Sequence, residues 1–67
     1  KGPLAGLAAY DAALLLSLNP PVEGAQSFWQ QMEKRYRNAA SLLKDPAQKK
    51  EASARAQAAA DTAKAVH

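Results

Sequence analysis

Three observations predict an all-α fold of three helices. The 67-residue chain has no Ile, and only Val22, Thr62 and Val66 are β-branched, so strand-forming residues are scarce. Its larger apolar residues recur at spacings of three and four rather than two, which is helical periodicity. Prolines fall where helices should start or stop. The expected layout is an N-terminal leucine-rich helix joined through Asn-Pro-Pro to an antiparallel helical hairpin. This divides the chain at 1–22 and 23–67, and no internal repeat is present.

The first helix is expected over Leu4 to Leu18. At 100° per residue, Leu4, Leu7, Leu14, Leu15 and Leu18 gather into an arc about 100° wide. Asn19-Pro20-Pro21 ends it, because proline lacks an N–H and restricts the residue before it. Asp11 falls inside the leucine arc, where an unpaired carboxylate would be expensive to bury. Either the arc is only partly buried, or Asp11 caps a shorter helix from Ala12, or it pairs with a base. Arg35 and a base on another subunit are the two candidates, and under the pairing reading Asp11→Asn weakens assembly.

The second helix is expected to end at Lys44 and to start between Pro21 and Phe28. Ser27-Phe28-Trp29-Gln30 has the form of a capping box, while an earlier start capped by Asn19 or Pro20 would place Gly24 inside the helix. Trp29, Met32, Tyr36, Ala39 and Leu43 form a seam at spacings 3, 4, 3, 4, broadened by Phe28. The third helix opens at Asp45-Pro46, with Asp45 as N-cap, Pro46 at N1 and Gln48 at N3. Its seam is Ala52, Ala56, Ala59, Ala63 and Val66, and Ala47, Ala54, Ala58 and Ala65 form a second small-residue strip on nearly the opposite side. The short break at Lys44-Asp45-Pro46 favours a hairpin in which the bulky seam meets the alanine seam. Acids pair with bases one turn on: Glu33 with Arg37, Asp45 with Lys49, Glu51 with Arg55, and Asp61 with Lys64.

Composition limits what this fold can contain. Of the residues that make up the 48% hydrophobic content, 17 are Ala, and only 15 are larger. The core is therefore small for a chain without disulfides, and with no Cys and one His neither a disulfide nor a Cys- or His-based metal site is expected. Ser17, Ser27, Ser41, Ser53 and Thr62 have no internal His to activate them, so the chain is expected to be non-enzymatic and without cofactor.

Charge is uneven: residues 1–31 carry a net −1 and residues 32–67 a net +4. Lys34, Arg37 and Lys44 lie opposite the Trp29 seam and form a candidate face for an acidic partner. Nucleic acid is disfavoured, because Tyr36, the aromatic among these bases, points into the apolar seam. The N-terminal segment carries no base along its polar face and is too short to span a membrane, so membrane association is expected only at the periphery, through a partner. A start at Lys1 rather than Met fits either a trimmed chain or a processed product of an organellar or exported protein, and nothing in the sequence separates these.

The alanine-rich third helix cannot cover both the leucine arc and the Trp29 seam, and the surplus points to a partner chain. Leu4, Leu7, Asp11, Leu14, Leu15 and Leu18 are the candidate protein-binding residues. Phe28 and Trp29 join them as anchors, if they are not spent on the core. The expected function is a small, non-catalytic structural or accessory subunit of a larger protein assembly, one that is membrane-attached or organellar. The alternative is an autonomous three-helix module that binds nucleic acid or an acidic protein surface.

Overall fold

The computed structural model describes residues 4–66; the start at Lys1 and the terminal His67 lie outside the described residues. Three helices follow in order: α1 Ala5–Ser17, α2 Ala25–Leu42 and α3 Pro46–Ala65, with no strand among the described residues. The bundle runs up, down and up. Gln26 Nε2 near the start of α2 donates to the Ala63 carbonyl near the end of α3, at 2.9 Å, and Lys49 Nζ reaches the Ala40 carbonyl at the other end, at 2.7 Å. These two bonds set α2 and α3 antiparallel. Gly6 lies against Leu43 and Ser17 bonds to Tyr36, so α1 also runs antiparallel to α2.

The hairpin packs as its two seams require. Met32, Tyr36, Ala39 and Leu43 are buried on α2, opposite Ala52, Ala56, Ala59 and Ala63 on α3. Small residues on one side let the backbones approach, and the larger side chains of the other fill the space between them. The second alanine strip, Ala47, Ala54, Ala58 and Ala65, is exposed, so α3 is packed on one side only.

The start of α3 forms as its sequence dictates. Asp45 Oδ2 accepts from the Gln48 backbone N–H at 3.0 Å, with Pro46 at the first helical position. Replacing Asp45 by Ala should cost about 1 kcal/mol, a fall of roughly 4–8 °C in Tm by circular dichroism.

α2 starts at Ala25, within the expected range of Pro21 to Phe28, but neither expected cap, Ser27 or Asn19/Pro20, is used. Gly24 is the N-cap, in the left-handed region at φ 71°, and its carbonyl accepts from the Phe28 N–H at 3.0 Å. The Ser27–Gln30 capping box therefore does not form, because Ser27 already sits inside the first turn. Gly24 works here because a left-handed cap turns the chain sharply out of the Pro20-Pro21 loop at no steric cost.

In α1 the helix is continuous through Asp11, which lies mid-helix and exposed; it caps nothing. The face turned toward the hairpin is Gly6, Tyr10, Ala13 and Ser17, at spacings 4, 3, 4: Gly6 and Ala13 are buried, Tyr10 and Ser17 half-buried. Ala13 joins Met32, Tyr36, Ala56 and Ala59 in one core shared by all three helices, with Tyr10, Leu14, Phe28 and Trp29 packed around it. The leucines mostly point the other way.

Candidate binding surface

Because α1 docks through its small-residue side, the opposite side faces solvent. Leu4, Leu15 and Leu18 are 67%, 68% and 71% exposed, and Leu16 and Val22 extend the apolar surface. Leu7 and Leu14 flank this face half-buried. Along the outer face Leu4, Ala8, Asp11, Leu15 and Leu18 recur at spacings 4, 3, 4, 3, and all five are exposed. That spacing is a heptad seam, the pattern with which one helix meets another. Asp11 sits at its midpoint.

The expected pairing of Asp11 with Arg35 does not occur. Among the described residues the ion pairs are Arg37–Glu33 at 2.9 Å and Arg55–Glu51 at 3.9 Å, and neither includes Asp11 or Arg35. The cause is the rotation of α1, which turns Asp11 away from the hairpin. Two other expected pairs are also replaced: Lys49 bonds to the Ala40 carbonyl instead of Asp45, and Asp61 accepts from Gln57 Nε2 at 3.1 Å.

Phe28 and Trp29 are half-buried and stack edge to face at 5.1 Å between ring centroids. Packing claims one side of each. α1 is the shortest helix, about 20 Å long against about 27 and 30 Å for the other two. Beyond its C-terminal end lies an open groove of about 370 Å³. Leu18, Trp29, Ala58 and Ala59 give it apolar walls; Ser17, Thr62 and Arg55 edge it. Ser17 and Thr62 spend their hydroxyl protons on the Leu14 and Ala58 carbonyls, and Tyr36 Oη lies 3.1 Å from Ser17 Oγ.

Of the candidate acidic-partner face, Lys34, Arg37 and Lys44 are all exposed, but Arg37 is held by Glu33, and Tyr36 is buried at 2% exposure. The basic face is thus partly neutralised and carries no stacking aromatic. Among the described residues no cluster of three metal-ligating side chains exists, and no helix is long and apolar enough to cross a membrane.

Tyr10 is the polar clasp that sequence periodicity did not single out. Its hydroxyl donates to Glu51 Oε2 and accepts from Arg55 Nε at 2.8 Å, tying α1 to an i,i+4 pair on α3. Its ring meets Tyr36 edge-on at 5.9 Å. Burial, then the bond to the Glu51 carboxylate, pushes the Tyr10 phenol above its ordinary value, against the opposing pull of Arg55. Arg55 is in turn held more firmly protonated, chiefly by its bond to Tyr10.

The folded state therefore keeps the phenol proton that the unfolded chain gives up near pH 10. Its contribution to stability is full below that pH and is lost as pH rises through the raised folded value. Melts between about pH 8 and 11 should show a steeper alkaline loss of Tm in the natural chain than in Tyr10→Phe.

No family model matches the chain, and neither a curated protein nor a solved structure is significantly similar to it. The fold and surface define a class: a small all-α three-helix bundle with an exposed leucine seam.

Proposed function

We propose that this chain is a non-catalytic helical subunit that binds into a larger protein assembly through the outer face of α1. The observation that carries the reading is the exposed seam Leu4, Leu15 and Leu18, in a chain with few large apolar residues to spare. Leaving three leucines about two-thirds exposed forgoes roughly 1–2 kcal/mol apiece that full burial would contribute. Large apolar side chains exposed together, as Leu15, Leu16, Leu18 and Val22 are at the end of α1 and the loop after it, mark protein contact sites. The groove beside Leu18 and Trp29 adjoins the seam and would take a side chain from the same partner.

The test is size fractionation of source-cell extract, with detection of the full chain. It should elute far above its own 7.1 kDa. Leu15→Glu and Leu18→Glu should release it to low mass without changing the melt of the purified chain. Elution of the natural chain as a free monomer would refute the proposal.

A further inference from the structure

We infer that the partner at this seam is a helix of a different protein, apolar along its facing side and carrying one Lys or Arg opposite Asp11. The inference rests on the docking function proposed above and adds the chemistry of the occupant. It starts from a juxtaposition: a carboxylate at the midpoint of an exposed heptad seam, with no side-chain hydrogen bond or ion pair formed by Asp11 among the described residues. Three occupants could cover such a face, and charge separates them.

A second copy is disfavoured. A two-fold pair built on the whole seam, parallel or antiparallel, sets Asp11 against its own symmetry mate, because Asp11 is the central residue of the five. Two like carboxylates would be driven together in a desolvated apolar strip. A membrane surface is also disfavoured. Interfacial helices hold anionic headgroups with Lys and Arg, whereas residues 4–18 contain no base and place their one charge in the middle of the apolar face.

A heterologous helix meets both demands. Leucines at its facing positions would cover Leu4, Leu15 and Leu18, and one cation would satisfy the Asp11 carboxylate, most fully as the forked guanidinium of Arg. A lone polar residue at a seam position is also a known device for setting register and partner choice. Asp11 would then reject neutral and acidic partners as well as recognise a basic one.

The probes are two synthetic amphipathic helical peptides with the same leucine seam, one with a central Lys and the other with a central Glu. Binding to the intact chain is read by fluorescence anisotropy, and self-association by sedimentation equilibrium. The Lys peptide should bind at least about tenfold more tightly than the Glu peptide. Asp11→Asn should bring the two within about twofold, and Asp11→Lys should invert the preference. Leu15→Glu should abolish binding of both.

Equal affinities for the natural chain, with loss in Leu15→Glu, would overturn the basic-partner inference and leave the docking function standing. Failure of both peptides to bind would overturn both. A dimer of the chain that tightens in Asp11→Asn would assign the seam to a second copy instead. Binding to phosphatidylcholine–phosphatidylglycerol vesicles that depends on Leu15 would assign it to a membrane.

Discussion

Replacing Met32 by Ala should remove most of the stability of the folded chain. Met32 is the largest fully buried side chain and lies in the cluster shared by Ala13 of α1, Tyr36 of α2, and Ala56 and Ala59 of α3. Met-to-Ala truncation in a core costs about 2–5 kcal/mol, the upper part of that range applying where neighbours cannot collapse into the space. Three of the four other buried members of this cluster are alanines, which have no side-chain torsion to swing inward, so only Tyr36 and the partly buried Tyr10, Leu14, Phe28 and Trp29 around it have rotamers to adjust. A chain of this length has on the order of 3–10 kcal/mol of stability in all. Circular dichroism should therefore show a Tm lowered by at least roughly 10–20 °C, or no cooperative melt. Met32→Leu, nearly equal in volume, should cost less than about 1.5 kcal/mol, and Leu15→Ala on the outer seam less than about 0.5. A Met32→Ala chain that melts with the natural one would mean that the three helices do not share this core.

The contrast between Met32 and Leu15 shows why composition alone misplaces the core. Hydropathy ranks the eight leucines above the alanines, yet the buried set holds Leu43 alone among them, with six alanines. The hairpin was legible because the Trp29 seam has polar residues behind it and the short Lys44-Asp45-Pro46 break sets the alanine-rich helix directly against it. The start of α3 was legible because Asp45 and Pro46 act within one turn, with no help from tertiary structure. The start of α2 was not, since Gly24 is selected by the path of the preceding loop, and a capping box is silent about that path.

The candidate surface divides in the same way. The leucine arc and the place of Asp11 within it are readable from helical spacing. Which face of α1 meets the hairpin is not, because Gly6, Tyr10, Ala13 and Ser17 carry little hydrophobic weight. Their value lies in shape: two small residues admit the neighbouring backbone, Ser17 bonds to Tyr36, and Tyr10 reaches across to Glu51 and Arg55. Tyr10 is four residues from Gly6 and three from Ala13, a second heptad seam facing away from the first. Testing for a small-residue seam opposite the leucines would have found it.

Gly6 gives that seam its sharpest test, since Gly6→Ala should destabilise where helix propensity alone says it should stabilise. Alanine in place of a glycine within a helix ordinarily gains about 0.5–1 kcal/mol. At Gly6, however, a Cβ would stand 2.7 Å from the Leu43 backbone nitrogen, 2.8 Å from the Leu42 carbonyl carbon and 2.9 Å from the Leu43 Cα. All three are main-chain atoms, so no side-chain rotation relieves the clash, and α1 must lift from the end of α2. Overpacking of this kind costs about 1–3 kcal/mol, a fall in Tm on the order of 10 °C for a chain this small. The displacement should also loosen the Tyr10 clasp, so that α1 amides exchange faster while those of α2 and α3 hold. Gly24→Ala provides the comparison: no atom lies within 4 Å of its Cβ position, but its φ of 71° strains any side chain. It should cost about 1–2 kcal/mol through the backbone alone and leave the relative protection of α1 unchanged. If Gly6→Ala instead raises Tm, α1 stands further from α2 than these contacts require, and its small-residue seam is not what holds the leucines outward.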